Sequence, residues 1–284
     1  MAKICIACNS KNSIKLFKKT SFLKYPLYIC ASCGLSFYYA DDKDVEKKCD
    51  EYYNSAYWGS VRKDWDDQRK LILPIIKIMR IMKTKPLQQM WHHRLMQKHS
   101  ASKGKLLDIG CGKGEFMMFF HQMGYDVAGI EPDRNNAELI NKKFKRDVCI
   151  NSIAEKAKLK GKYDIVYLCH VFEHLIRPDN FLKNMKKNIS KNGMVFIEVP
   201  NCENPRILDN SIKHHPHVYN FTAKSLKNLF ENCGYEILEI GPYSEKRGNY
   251  ALKFFLMAMQ LNNYRKASNK DGEMLIVLAK PKRQ

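Results

Sequence analysis

The stretch Lys105-Leu-Leu-Asp-Ile-Gly-Cys-Gly-Lys-Gly-Glu-Phe116 constrains the fold more than any other part of the chain. Leu106 to Ile109 form an apolar run that reads as a buried strand. It leads into glycines at alternate positions, Gly110, Gly112 and Gly114, and the pattern beyond them predicts a helix over 115–123. Glycine accepts positive φ and lets a ligand approach the backbone where a Cβ would block it. A strand, a glycine turn and a helix at the head of an α/β unit make a nucleotide-binding corner. Here the spacing is G-x-G-x-G, not the G-x-G-x-x-G of dinucleotide sites, and an acid, Asp108, closes the strand. That carboxylate favours a positively charged ligand and repels a pyrophosphate.

The pattern around this corner alternates between strand and helix. Strands are expected over 105–109, 126–130, 146–150, 163–169, 194–199 and 235–240, and helices over 115–123, 134–144, 178–189 and 222–233. Such alternation implies an α/β fold with a doubly wound parallel sheet. Residues 272–279 supply a final strand. The connection before it, 243–272, is too long for a plain hairpin and includes an apolar helix candidate over 249–261, with Phe254, Phe255 and Met257. It reads as an insertion that caps the substrate site, makes a dimer contact or touches a membrane surface. Three units follow: residues 1–40, a helical linker or cap over 41–103, and 104–284. Within the linker, helices are expected over 64–82 and 90–98, broken around Pro74 and Pro86, after an aromatic cluster of Tyr52, Tyr53, Tyr57 and Trp58.

The first unit carries Cys5-x-x-Cys8 and Cys30-x-x-Cys33-Gly34. Two such knuckles bring four thiolates round one ion, which suits Zn²⁺ in a closed, structural site. Strand-like runs at 14–17 and 25–29 between them complete a zinc ribbon that needs its metal to fold. The other six cysteines are scattered and expected to be reduced. Of these, Cys149 and Cys169 read as core thiols, and Cys111 as packing inside the glycine turn.

The chain has 284 residues, 45% hydrophobic, and a formal charge of +20. No run reaches the ~20 apolar residues of a membrane span, and Met-Ala-Lys-Ile-Cys-Ile lacks the apolar stretch of a signal peptide. A cytoplasmic location is expected. The lysines are dispersed, with no block long enough for a nucleic-acid arm, so the excess points first to a phosphate-bearing small molecule.

Four segments together resemble the class I S-adenosylmethionine-dependent methyltransferases. The glycine turn matches L-D-[IVL]-G-C-G-x-G, and Glu131-Pro132 closes the next strand 17 residues after Gly114, where the family places an acid on the ribose. The loop Asn151-Ser152-Ile153 falls where the family edges the adenine. Cys169-His170-Val171-Phe172-Glu173-His174-Leu175 is similar to x-x-V-[LF]-E-H-[LIV], which lines cofactor and acceptor. His217-Val-Tyr-Asn-Phe221-Thr-Ala-Lys-Ser225-Leu226 resembles H-x-x-x-F-[ST]-x-x-[ST]-L of enzymes that methylate sugars and other small hydroxylated or ketonic molecules. The resemblance implies a Rossmann-like, seven-stranded sheet with its last strand antiparallel. It also implies a cofactor site of Asp108, Gly110, Cys111, Gly112, Gly114, Glu131, Pro132, Asn151, Ser152, Ile153, Cys169 and His170. The aromatic Y-Y-x-x-x-Y-W cluster occurs in these relatives as well, over cofactor and substrate. In the zinc-bearing sugar C-methyltransferases the segment before the histidine reads Y-x-E-H. His214 and Pro216 replace its tyrosine and glutamate, which favours oxygen as the methylated atom.

A sulfonium donor needs a nucleophile held in line and kept dry. An alcohol must also lose its proton, and a histidine can accept it near neutral pH. His217 and His170 are the candidate bases, with His174 beside them in an orienting role. His214, His215 and His217 could instead ligate a metal, but Pro216 interrupts them and no carboxylate partner is visible in the sequence. The expected function is O-methylation of a small, anionic, sugar-like acceptor, such as a nucleotide sugar or a saccharide precursor in carbohydrate or natural-product synthesis. The alternatives are sugar C-methylation and RNA methylation. Against RNA, strand four ends in Cys-His-Val-Phe, not the D/N-P-P-[YF] of base N-methylating enzymes.

Overall fold

The structure is a computed structural model that describes residues 4–11, 13–19, 24–38, 43–45, 47, 87–99, 103–245 and 264–282. The aromatic cluster at 52–58 and the helices expected over 64–82 and 249–261 lie outside the described residues.

A parallel sheet forms the centre. Strand β4 (Lys105–Ile109) pairs in parallel with β5 (Asp126–Glu131) on one side and β7 (Tyr163–Cys169) on the other. β6 (Cys149–Asn151) extends the sheet beyond β5, and β8 (Ile189–Pro200) extends it beyond β7. The late strand β12 (Met274–Pro281) inserts antiparallel between β8 and β10 (Tyr235–Glu245). This is the topology the alternating pattern and the antiparallel last strand implied. A short eighth strand, β11 (Tyr264–Lys266), adds to the β10 edge; it falls inside the connection read as an insertion.

Side chains on successive strand positions point to opposite faces, and the sequence exploits this. Leu107, Ile109, Val166, Leu168, Val195 and Ile197 face one apolar layer; Leu106, Ile165, Tyr167, Met194 and Phe196 face the other. The second layer packs against α1 (Leu87–Gln97), α2 (Glu115–Gln122) and α3 (Arg134–Phe144). The first packs against α4 (Pro178–Met185) and α6 (Ala223–Asn232). Asp108, Cys169 and Glu198 fall on the α1–α2 side by the same alternation.

Local differences from the sequence pattern have local causes. The third parallel strand starts at Cys149, not at 146, because Lys145 ends α3 in a left-handed conformation and the chain needs Arg146–Val148 to turn back. Helix α5 (Pro205–His214) has no counterpart in the sequence reading. Pro205 at its first turn and Asn204, whose side chain accepts from Arg206 N, start it.

The cysteine module is a small antiparallel sheet: β1 (Ile14–Lys18), β2 (Leu27–Cys30) and β3 (Ser36–Tyr38). A fourth strand comes from far downstream. β9 (Tyr219–Asn220) pairs with β3, opposing Ser36 to Asn220 and Phe37 to Tyr219. Thr222 caps α6 by accepting from Ser225 N at 3.0 Å, and its hydroxyl donates to the Cys33 carbonyl at 2.6 Å. Asn232 at the end of α6 donates to the Ala7 carbonyl at 2.8 Å. Cys5, Leu27, Leu35 and Phe37 are buried in the same apolar layer as α4 and α6.

Candidate active site

Ligands in open α/β sheets bind beyond the carboxyl ends of the strands. There a cleft of roughly 1670 Å³ opens, more than the roughly 300–1,000 Å³ of a typical single-ligand pocket. It has room for two ligands.

One end of the cleft is built on β4 and β5. Gly110 has φ 68°, and a Cβ there would lie 2.4 Å from Val171 Cγ2. Gly112 has φ 54°, yet a Cβ there would meet nothing within 4 Å, so its bare backbone faces open space in the cleft. Glu131 accepts from Gly112 N at 2.8 Å and from Asp133 N at 3.0 Å. These bonds hold its carboxylate against the glycine loop. Burial pushes Glu131 up to about 7, although the two amide bonds pull it down. Asp108 is 3% exposed and its Oδ2 has no hydrogen-bond partner. Burial, with Glu131 nearby, raises its pKa well above the ordinary range. Two such buried carboxyls at one end of a cleft suit a ligand that brings positive charge and hydroxyl donors.

Pro132, Ile153, Cys111, Cys169 and His170 line the same cleft. Gly114, Asn151 and Ser152 do not. Gly114, at φ 76°, starts α2, and Asn151 donates to the carbonyls of Glu131 and Pro132, bracing the loop from behind. Cys111 and Cys149 are buried with their sulfurs 3.6 Å apart.

The other end begins where β7 stops. His170 takes φ 55°, a left-handed conformation uncommon for a residue with a side chain. The twist aims its ring into the cleft, where the side chain is 46% exposed. Nδ1 lies 3.4 Å from Glu173 Oε1 and Nε2 lies 3.3 Å from Glu198 Oε1. Burial works against its charge, but the two carboxylates outweigh it and hold His170 at about 10. Glu173 and His174 follow in a 3-10 turn, Phe172–His174. His217 comes from beyond α5 and closes the back wall, its ring centroid 4.8 Å from that of His174. His217 is 7% exposed, and burial together with His174 lowers it to about 3, so it is uncharged at neutral pH. Val218 N donates to the Glu173 carbonyl at 2.9 Å and fixes the two segments side by side. The structure therefore brings together all three histidines singled out by sequence. His214 and His215 sit at the end of α5; His215 stacks on His217, its ring centroid 4.9 Å away.

Sequence reasoning missed the floor of this chamber. Glu198 is fully buried and accepts from Gln88 at 3.0 Å. His92 Nε2 lies 2.9 Å from its other oxygen, and His92 Nδ1 lies 2.7 Å from Tyr167 Oη. One signal was available: an acid inside the apolar strand Met194–Val199 must be partnered. Its partners on α1 lie about a hundred positions away and leave no local trace.

In the cysteine module, the Cys5 and Cys33 sulfurs lie 3.6 Å apart and those of Cys8 and Cys30 3.5 Å apart. All four lie within 4.8 Å of one another. Thiolates about 2.3 Å from a tetrahedral zinc are separated by about 3.8 Å, so the four positions fit such an ion.

The fold and the cleft define a class I, S-adenosylmethionine-type methyltransferase. A methyltransferase domain family matches residues 84–240, and the chain belongs to it. Among curated relatives, the ubiquinone biosynthesis O-methyltransferase of Pelagibacter ubique is 35% identical over 102 residues, 34% of this chain and 42% of that protein. The tRNA U34 carboxymethyltransferase of Campylobacter jejuni is 27% identical over 146 residues, 47% of this chain and 50% of that one. The chain thus spans half or less of the length of these relatives. Among solved structures, the plantazolicin methyltransferase BpumL in complex with SAH aligns with a TM-score of 0.56 at 15% identity, covering 84% of this chain and 97% of that one. A SAM-dependent methyltransferase from Archaeoglobus fulgidus aligns with a TM-score of 0.51 at 18% identity, covering 72% and 98%. No helix among the described residues is long and apolar enough to cross a membrane.

Proposed function

We propose that the protein transfers a methyl group from S-adenosylmethionine to a hydroxyl of a small, phosphate-bearing, sugar-like acceptor. The observation that carries this reading is the union of two sites in one cleft: the acid-rimmed glycine corner and, past the end of β7, the histidine chamber. When bound, S-adenosylmethionine supplies an electrophilic methyl on a cationic sulfur. Glu131 accepts from the ribose hydroxyls, the bare backbone at Gly112 admits the donor, and Asp108 supplies negative charge beside it. Ile153 and Pro132 give the adenine an apolar edge.

The acceptor lies against His170, His174 and His217. Of the three, His170 is half-exposed in the open cleft, whereas His217 is buried with Nδ1 engaged by Ser211 at 2.7 Å. Access therefore sets His170 against the acceptor hydroxyl; Glu173 and Glu198 hold its ring charged, so it takes the hydroxyl proton only as its own ring proton passes to one of these carboxylates. Lys156, Arg177 and Lys187 line the same cleft and suit a phosphorylated acceptor. The cysteine module holds a structural zinc ion in this reading. Similarity to O-methyltransferases of ubiquinone synthesis supports oxygen as the target.

The test is calorimetry with S-adenosylhomocysteine, then transfer of labelled methyl to nucleotide sugars, sugar phosphates and tRNA. Absence of binding to the demethylated donor would end the proposal. Transfer to tRNA alone, with binding that falls steeply with salt, would favour the RNA reading suggested by the tRNA-modifying relative. His170→Ala should lower turnover by about 10²-fold or more with donor affinity kept; a smaller loss would remove His170 as the base.

A further inference from the structure

Glu173 is buried, 1% exposed, and neither carboxylate oxygen has a hydrogen-bond partner. His170 Nδ1 at 3.4 Å and His217 Nε2 at 3.9 Å from Oε1 are ion-pair neighbours, too distant for the ~2.7–2.9 Å of a charge-assisted bond. A carboxylate so placed is normally paired or bound to a metal.

The state of His217 follows from its far side. The Ser211 hydroxyl donates to Asn220 Oδ1, so toward His217 it acts as an acceptor, and His217 Nδ1 carries the proton of that 2.7 Å bond. In the neutral ring Nε2 is then a lone pair. It faces the lone pairs of Glu173 inside a buried wall. Two acceptors turned toward each other call for a cation between them. His174 supplies a third ligand: the ligand atoms of Glu173, His174 and His217 all lie within 4.8 Å of one another. Small side-chain rotations bring such a set to the ~2.0–2.2 Å bonds of a first-row ion. The outer shell is in place as well. His217 Nδ1 rests on Ser211, and His174 Nδ1 faces the Pro216 carbonyl at 3.4 Å, the arrangement that fixes ring orientation in metal-binding histidines.

We propose that Glu173, His174 and His217 bind a divalent first-row transition-metal cation at the back of the chamber. Two imidazoles and one carboxylate leave coordination positions open, and all three residues line the cleft. Those positions chelate two neighbouring oxygens of the acceptor, a vicinal diol or a hydroxyl beside a carbonyl. That role rests on the methyl-transfer reading; the cation site itself does not. The other nitrogen–sulfur–oxygen cluster, His92, Cys169 and Glu198, is a different case, because Gln88 and His92 already occupy the Glu198 oxygens.

The test uses full-length protein with its cysteine-bound metal retained, titrated with Mn²⁺ while electron paramagnetic resonance follows the free ion. Nitrogen and oxygen ligands accept Mn²⁺, whereas thiolates select softer ions, so the cysteine module stays silent. The wild type should take up one Mn²⁺ per chain, and Glu173→Gln and His217→Asn should each weaken that uptake at least tenfold. S-adenosylhomocysteine affinity, expected within threefold of wild type, reports that each variant is folded; if one fails this check, the other and the wild-type titration decide. No saturable uptake by the wild type, or uptake unchanged in the folded variants, overturns the site. Uptake without donor binding would sink the methyl-transfer reading and leave the cation site standing.

Discussion

Donor binding should be linked to protonation through Glu131. In the empty cleft burial pushes this carboxyl up to about 7, against about 4.3 for an exposed glutamate. At about 1.4 kcal/mol per pH unit, keeping it ionised in the empty protein costs about 3–4 kcal/mol. A raised carboxyl favours the fold most below its unfolded pKa, and that contribution is lost as pH climbs through 7. Ribose hydroxyls reverse the balance, because they bond to the charged form and lower its pKa. Binding should therefore release a proton, about half of one at pH 7. Affinity for S-adenosylhomocysteine should fall about tenfold between pH 8 and pH 6, or about 1.4 kcal/mol. The assay is titration calorimetry across this range in two buffers of different ionisation heat, with Glu131→Gln alongside. The variant is needed because Asp108 is also raised. His170 at about 10 and His217 at about 3 stay outside the window. Equal pH slopes in wild type and Glu131→Gln would refute the reasoning.

Other perturbations follow from the packing. Gly110→Ala adds about 1–2 kcal/mol of left-handed strain and drives a methyl into Val171, so both melting temperature and donor affinity should fall. His92→Ala removes a buried partner of Glu198 and should cost about 3–5 kcal/mol in urea unfolding; a loss under 1 kcal/mol would mean that Gln88 and Cys169 suffice. Thr222→Val deletes a helix cap worth about 1 kcal/mol and the Cys33 carbonyl bond, worth about another. The same unfolding assay should therefore show a drop near 2 kcal/mol.

The glycine corner was legible as local structure because its information is contiguous: Asp108, the glycines and Glu131 fall within one strand–turn–helix–strand unit. The two cysteine knuckles were legible for the same reason. The histidine chamber was legible only in its histidines. Nothing near His214–His217 in the chain announces a carboxylate, since Glu173 reaches His217 only when the turn after β7 meets the segment after α5. Glu198 and His92 meet across more than a hundred residues, and β9 shows no strand pattern in two residues. Helix α5 escaped notice because the polar run Asp209-Asn-Ser211 masks its short apolar stripe, Ile207, Leu208 and Ile212. In each case tertiary pairing supplied what local pattern lacked.

The pairing of β3 with β9 has a mechanical consequence. The strand that borders the cysteine knuckles also carries the segment directly after His217, and Tyr38 N reaches the Val218 carbonyl at 3.4 Å. The module is thus a buttress, and the histidine chamber leans on it. Whatever slackens the thiol clamp lets Val218 and Tyr219 drift, and the back wall sags while the glycine corner across the sheet keeps its shape.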